Sequence, residues 1–163
     1  MQLAAAGWTV TAVDASESRL GRLRENLART GLDAEIVVAD VMKWAPQDPV
    51  DAILLDAPCS ATGIYRRHPD VLHRARPRAI AELAAAQKAM LARTADWLKP
   101  GGSLVYSVCS LEPEEGEQVA DEFLSANQDY RIAERQRVLP GTHEDVGGAD
   151  SFFIARFIRN NRG

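Results

Sequence analysis

Residues 50–63 read VDAILLDAPCSATG, an apolar run that ends in an acid and breaks at once into a Pro-Cys turn. Over 50–57 the run is nearly continuous in apolar residues, as a parallel strand covered on both faces should be. Other strands fall into line on either side of it. WTVTAVD (8–14) and AEIVVAD (34–40) are β-rich and also end in acids, and SLVYSVCS (103–110) ends in the only other cysteine. YRIAE (130–134) and the alternating SFFIARFIR (151–159) read as two closing strands.

Helical patterns separate these strands. In 16–30, Ser16 is placed to cap, Leu20, Leu23 and Leu27 repeat at helical spacing, and Gly31 stops the run. Pro77 can open a second helix, in which Ile80, Leu83, Gln87, Met90 or Leu91, Thr94 and Leu98 share one face until Lys99-Pro100-Gly101-Gly102 ends it. Pro113 opens a third, with Glu114, Glu115 and Glu117 suiting its positive end. Residues 57–76 form a loop long enough to suggest function. Alternating strands and helices imply an α/β fold, a mainly parallel sheet with helices on both faces, and a single domain over 1–163. Ligands in such sheets bind beyond the carboxyl ends of the strands. Asp14, Asp40, Asp56, Cys59 and Cys109 all fall there.

Composition bounds what the chain can be. Of 163 residues, 46% are hydrophobic and 26% charged, ordinary for a globular domain. No apolar run is long enough to cross a bilayer, so no membrane role is expected. The start, MQLAAAGWTVTAVD, has no basic leader before its apolar part and does not read as a signal peptide. Two cysteines make a poor disulfide framework, and a reducing cytoplasm is the simpler home. A net charge of −4 argues against indiscriminate coating of nucleic acid. Segment 65–78, YRRHPDVLHRARPR, nevertheless sets Arg66, Arg67, Arg74, Arg76 and Arg78 against one acid, Asp70, and such a patch can bind phosphates. The plainer reading is a solvated loop. His143, in GTHEDVGG, reads as solvated rather than catalytic.

An acid at the end of a strand commonly binds ribose hydroxyls, because one carboxylate accepts from both; the plainer alternative is a cap on the following turn. Three such acids favour a nucleoside-type cofactor. A buried cysteine is most often a small hydrophobe. If the strands at 50–57 and 103–110 are neighbours, however, Cys59 and Cys109 face one cleft, and a helix N-terminus after Cys109 would lower its thiol pKa. A disulfide is the rarer outcome in a reducing compartment, and the histidines are not spaced to complete a metal site. A thiolate beside an acid and a nucleoside cofactor suits pyrimidine methylation. Thiolate addition to carbon 6 makes carbon 5 nucleophilic, and an acid near nitrogen 3 supports the charge that develops.

DAPCSATG followed by YRRHPD, then LKPGGSLVYSVCSLEPEE and SFFIARF, resembles the RNA (cytosine-5) methyltransferases of the Sun/Fmu, RsmB-like type over nearly the whole chain. The resemblance implies a Rossmann-like methyltransferase fold, S-adenosylmethionine (SAM) as cofactor and 16S ribosomal RNA as partner. It implies that Cys109 is the nucleophile and that Cys59 helps release the product. DNA cytosine methyltransferases use a Pro-Cys cysteine as nucleophile, so Cys59 is the alternative for attack. Asp14 matches the ribose-binding acid, Asp40 the adenine-side acid, and Asp56 the acid between cofactor and base, with Pro58 shaping the turn. Arg66, Arg67 and His68 match a stretch expected near the RNA.

The resemblance also implies a first strand and a glycine-rich turn ahead of the helix that MQLAAAGW matches, and this sequence does not carry them. The chain therefore reads as part of a methyltransferase, with a gap in the sheet between the strands at 8–14 and 50–56 and weak or no SAM binding on its own. Two other readings stay open: a SAM-fold enzyme with a different substrate, and an RNA-binding or assembly module without catalysis.

Overall fold

The structure, a computed structural model, describes residues 1–142 and 149–161. His143 lies outside the described residues. The chain divides into two compact units, Met1–Ala45 and Pro46–Gly163.

The first unit holds a short helix α1 (Gln2–Ala5), strand β1 (Thr11–Asp14), helix α2 (Glu17–Thr30) and strand β2 (Glu35–Val38). β1 and β2 pair in parallel, with Asp14 opposite Val38. α2 forms where its caps dictate. Ser16 accepts from the Arg19 amide at 3.4 Å, and Gly31 closes the helix at φ 63, a conformation that favours glycine. α2 packs on both strands and buries Leu20 and Leu27. The strand expected over 8–14 begins only at Thr11, where the register with Glu35 starts; Val10 contributes its carbonyl to the Glu35 amide at 2.9 Å, and Trp8 is 51% exposed.

The second unit carries β3 (Val50–Asp56), a 3₁₀ turn at Thr62–Ile64, α3 (Val71–Arg74), α4 (Pro77–Ala95), β4 (Leu98–Val108), α5 (Glu117–Ala126), β5 (Tyr130–Val138) and β6 (Phe152–Arg159). Its sheet has the order β3-β4-β6-β5. β3 and β4 are parallel, as the α4 crossover between them requires, and β6 runs antiparallel to both of its neighbours. Among the described residues, β1 and β2 pair only with each other.

Leu91, Leu98, Leu104, Tyr106, Val108, Phe153 and Phe157 form the buried centre, and Phe123 packs edge-on against Tyr130 at 5.1 Å. β3 is not covered on both faces. Leu55 and Ala57 face the core, whereas Leu54, which points the other way, is 57% exposed. α4 ends at Ala95, so Leu98 is buried as the first residue of β4 and not as a helical one. Val50 pairs with Leu98 and Ala52 with Ser103, so Lys99–Gly102 bulge out of the ladder, with Gly101 at φ 80. α5 starts at Glu117, because Pro113–Gly116 form a turn; that displaces Glu114 and Glu115 from the helix end where they were expected.

Candidate active site

β3 and β4 lie side by side, with Asp56 opposite Ser107, and the chain leaves both strands at the same edge. Three residues beyond β3 comes Cys59, and immediately beyond β4 comes Cys109. The ladder therefore brings the two thiols together across fifty residues of sequence. Their sulfurs are 3.5 Å apart, and both are free and partly buried. A covalent disulfide would bring them to about 2.05 Å, so this is a reduced, hydrogen-bonded pair.

The pair is electrostatically unequal. The Cys59 S–H donates to Cys109 and draws the Cys109 thiol down to about 7, against opposing desolvation and the nearby charge of Asp56. Cys59 retains the shared proton, and its thiol is pushed well above the ordinary range by that same bond and by burial. The helix dipole expected to act on Cys109 is not what lowers it; α5 begins eight residues later, and the hydrogen bond from Cys59 is the main cause. Asp56 is pushed up by desolvation, which favours its protonated form.

Around the thiols lies a polar network that the sequence reading left out. Each cysteine is followed by a serine, and both serines bind the buried Glu115. Its Oε1 accepts from the Ser60 amide at 2.9 Å and from Gln87 Nε2 at 3.1 Å. Its Oε2 accepts from Ser60 Oγ at 2.5 Å and from Ser110 Oγ at 2.6 Å. Gln87 also donates to the Pro58 carbonyl at 2.8 Å, although its own Oε1 is buried without a partner among the described residues. Buried Thr62 accepts from the Leu111 amide at 2.9 Å and ties the two loops again. Gly63 sits between them, its amide donating to the Cys109 carbonyl at 3.1 Å. A Cβ on Gly63 would lie 2.4 Å from the Ser151 carbonyl oxygen, so only glycine fits. The serine after each cysteine was the signal in the sequence for this network.

Arg66, Arg67 and His68 are exposed on the loop that follows the 3₁₀ turn. Arg67 is ion-paired with Asp150, and the Cys109 thiolate also favours its charge. A cavity of about 240 Å³ opens beside Cys59, lined among others by Ser60, Ala61, Arg74, Ala79 and Leu83. Arg74 is thus the arginine of the basic segment that reaches the cavity, and it was not singled out from the sequence.

In the first unit, Asp14 is already engaged. Arg19 grips it through two bonds of 2.8 and 2.7 Å, and the Ser16 amide donates to it at 2.7 Å. The hydrogen bond from Arg19 holds the Asp14 carboxyl below its usual range. Asp40 accepts from the Met42 amide at 2.9 Å and keeps 44% of its side chain exposed. The turn role is therefore visible at both acids. Among the described residues no helix is long and apolar enough to cross a membrane, and no cluster of metal-ligating side chains is present.

Comparison with known proteins matches the chain to a family. The family model described as 16S rRNA methyltransferase RsmB/F matches residues 1–158. The ribosomal RNA small subunit methyltransferase B of Klebsiella pneumoniae (strain 342) is 44% identical over 160 residues, covering 92% of this chain and 36% of that protein. Its counterpart in Pectobacterium carotovorum subsp. carotovorum (strain PC1) is 43% identical, covering 93% and 37%. The chain thus spans little more than a third of the length of these relatives. Among solved structures, NSun6 from Pyrococcus horikoshii superposes with a TM-score of 0.80 at 28% identity, over 94% of this chain and 42% of that one. A methyltransferase homolog from the same organism gives 0.68 at 31%, over 93% and 53%. The fold is that of the Rossmann-like methyltransferases, and the chain belongs to the RsmB/F family of 16S rRNA methyltransferases.

Proposed function

We propose that the chain carries the thiol centre of an RNA cytosine-5 methyltransferase acting on 16S ribosomal RNA, within one catalytic domain that includes residues 1–163. The observation that carries this reading is the 3.5 Å approach of Cys59 and Cys109 beside the Asp56 carboxyl.

SAM fits the donor set of the first unit, where Asp14 and Asp40 offer carboxylate oxygens to ribose hydroxyls and to an adenine amino group. A ribose at Asp14 would take the place of the Arg19 hydrogen bonds. NSun6 was solved with SFG, and the N-methyltransferase NodS from Bradyrhizobium japonicum with S-adenosyl-L-homocysteine. When bound, SAM supplies an electrophilic methyl group.

The chain's own residues do the rest. Cys109, the more acidic thiol, adds as thiolate to carbon 6 of the cytosine and forms a C–S bond. The ring electrons shift toward carbon 5 and nitrogen 3, and the Asp56 carboxyl, beside the thiol pair, is placed to meet nitrogen 3. Once the Cys109 sulfur carries the ring, it is no longer an anion beside Cys59. Cys59 is then released from the bond that raised its pKa and can ionise. Once carbon 5 bears the methyl group, the Cys59 thiolate removes the carbon 5 proton, the C–S bond breaks, and Cys109 leaves as thiolate from the re-aromatised, methylated ring. Arg67, close to Cys109, and Arg74, at the cavity beside Cys59, suit RNA phosphates on either side of the target.

The test uses an intact-length protein that includes residues 1–163, incubated with SAM and 16S ribosomal RNA containing 5-fluorocytosine. Fluorine at carbon 5 leaves no proton to remove, so the adduct persists. A cross-link to the peptide carrying Cys109 is expected, lost in Cys109→Ala. An undiminished adduct in that variant would overturn the assignment.

A further inference from the structure

Glu115 has no solvent exposure. A carboxylate has about four lone-pair sites. Here they are filled by the Ser60 amide, Gln87 Nε2, Ser60 Oγ and Ser110 Oγ. Those donors come from three separate parts of the chain: the loop after β3, helix α4 and the end of β4. They flank the thiols closely. Pro58 and Ser60 stand on either side of Cys59, and Gln87 and Glu115 hold both of them. Ser110 adjoins Cys109. The backbone of Glu115 is pinned in turn, because the buried Tyr106 hydroxyl donates to its carbonyl at 2.5 Å. Glu115 does not touch either sulfur through a hydrogen bond; its grip is on their neighbours.

We propose that Glu115 is the positioning residue of the two-thiol centre: its buried carboxylate locks the Cys59 loop and the end of β4 to α4 and thereby sets the distance between the sulfurs. A carboxyl that merely filled core space would not need four polar partners, three from serines next to a cysteine and the fourth from Gln87, which is bonded to Pro58 beside Cys59. Burying a charge is costly unless every lone pair is satisfied, and here the satisfaction is obtained from the catalytic loops themselves. The inference rests on the two-thiol reading given above, but its measurement needs neither RNA nor SAM, so the two can fail separately.

The readout is the rate at which diamide closes the Cys59–Cys109 disulfide. Two thiols lose two protons and two electrons, the S–S bond forms, and diamide is reduced to its hydrazine. Closure requires the sulfurs to be held within reach, which a role in global stability alone would not report. Glu115→Ala is expected to slow closure about tenfold while the chain keeps a cooperative urea transition. Glu115→Gln keeps one oxygen for the Ser60 amide and Gln87, and it offers an amide group to the two serine hydroxyls. It should restore the rate to within about twofold of the unaltered protein. If Glu115→Ala does not fold, the Ser60→Ala/Ser110→Ala pair, which cuts only the two hydroxyl links, should slow closure severalfold. Unchanged or faster closure in a folded Glu115→Ala protein or in the serine pair would overturn the proposal, as would Glu115→Gln closing as slowly as Glu115→Ala.

Discussion

Cys59 and Cys109 are the same chemical group with opposite roles, and the difference lies in one shared proton. Because the Cys59 S–H stabilises the Cys109 thiolate, removing it should raise the Cys109 pKa. Alkylation of Cys109 by iodoacetamide, followed by peptide mass spectrometry across pH, should show a midpoint near 7 in the native protein. In Cys59→Ala the midpoint should climb toward the ordinary thiol value of 9.0. Both cysteines and Asp56 could be read from the sequence, because strand ends are marked by where apolar runs stop. Glu115 could not be read the same way. It lies among Glu112, Glu114 and Glu117, and nothing local separates the buried one from the others. The signal was the serine after each cysteine, and it gains meaning only once the ladder has placed Ser60 and Ser110 together.

At the scale of elements, the loop between β3 and α4 is held by backbone proximity as much as by side chains. Gly63 donates to the Cys109 carbonyl and accepts from the Ser151 amide at 3.0 Å, joining this loop to the residue before β6. Gly63→Ala should push these backbones apart and destabilise the second unit by roughly 1–3 kcal/mol, measured by urea unfolding, and should also disturb the thiol pair. α2 was legible because Ser16 and Gly31 are local signals that need no tertiary help. The start of β4 was not. Lys99-Pro100-Gly101-Gly102 reads as a terminator, and only the pairing of Val50 with Leu98 makes a strand of what precedes it. β5 runs to Val138 rather than Glu134 for a similar reason, since β6 supplies partners as far as Phe152.

The molecule as a whole divides its stability unevenly. The first unit is organised on two strands of four residues each, whereas the second rests on four strands with a continuous aromatic and aliphatic core. Two-stranded sheets are marginal in water. Hydrogen exchange followed by mass spectrometry should therefore find the amides of β1 and β2 exchanging well before those of β4 and β6. Equal protection in both sheets would contradict that division. The α/β class was legible from alternation, but the placing of β6 between β4 and β5 was a property of which strands meet, and a strand's neighbours are not written in its own residues.

The basic segment brings its own anions with it. Arg67 holds Asp150, Arg74 holds Asp70 and Arg78 holds Glu82. An incoming polyphosphate must evict a carboxylate at each of these positions, so what it gains is an exchange of counter-charges rather than a fresh attraction. Sheer polyanionic character is a weak ticket to this surface. Only a polyanion that offered a phosphate to each of the three guanidinium groups would offset all three losses together, so at these three arginines fit would count for more than charge density.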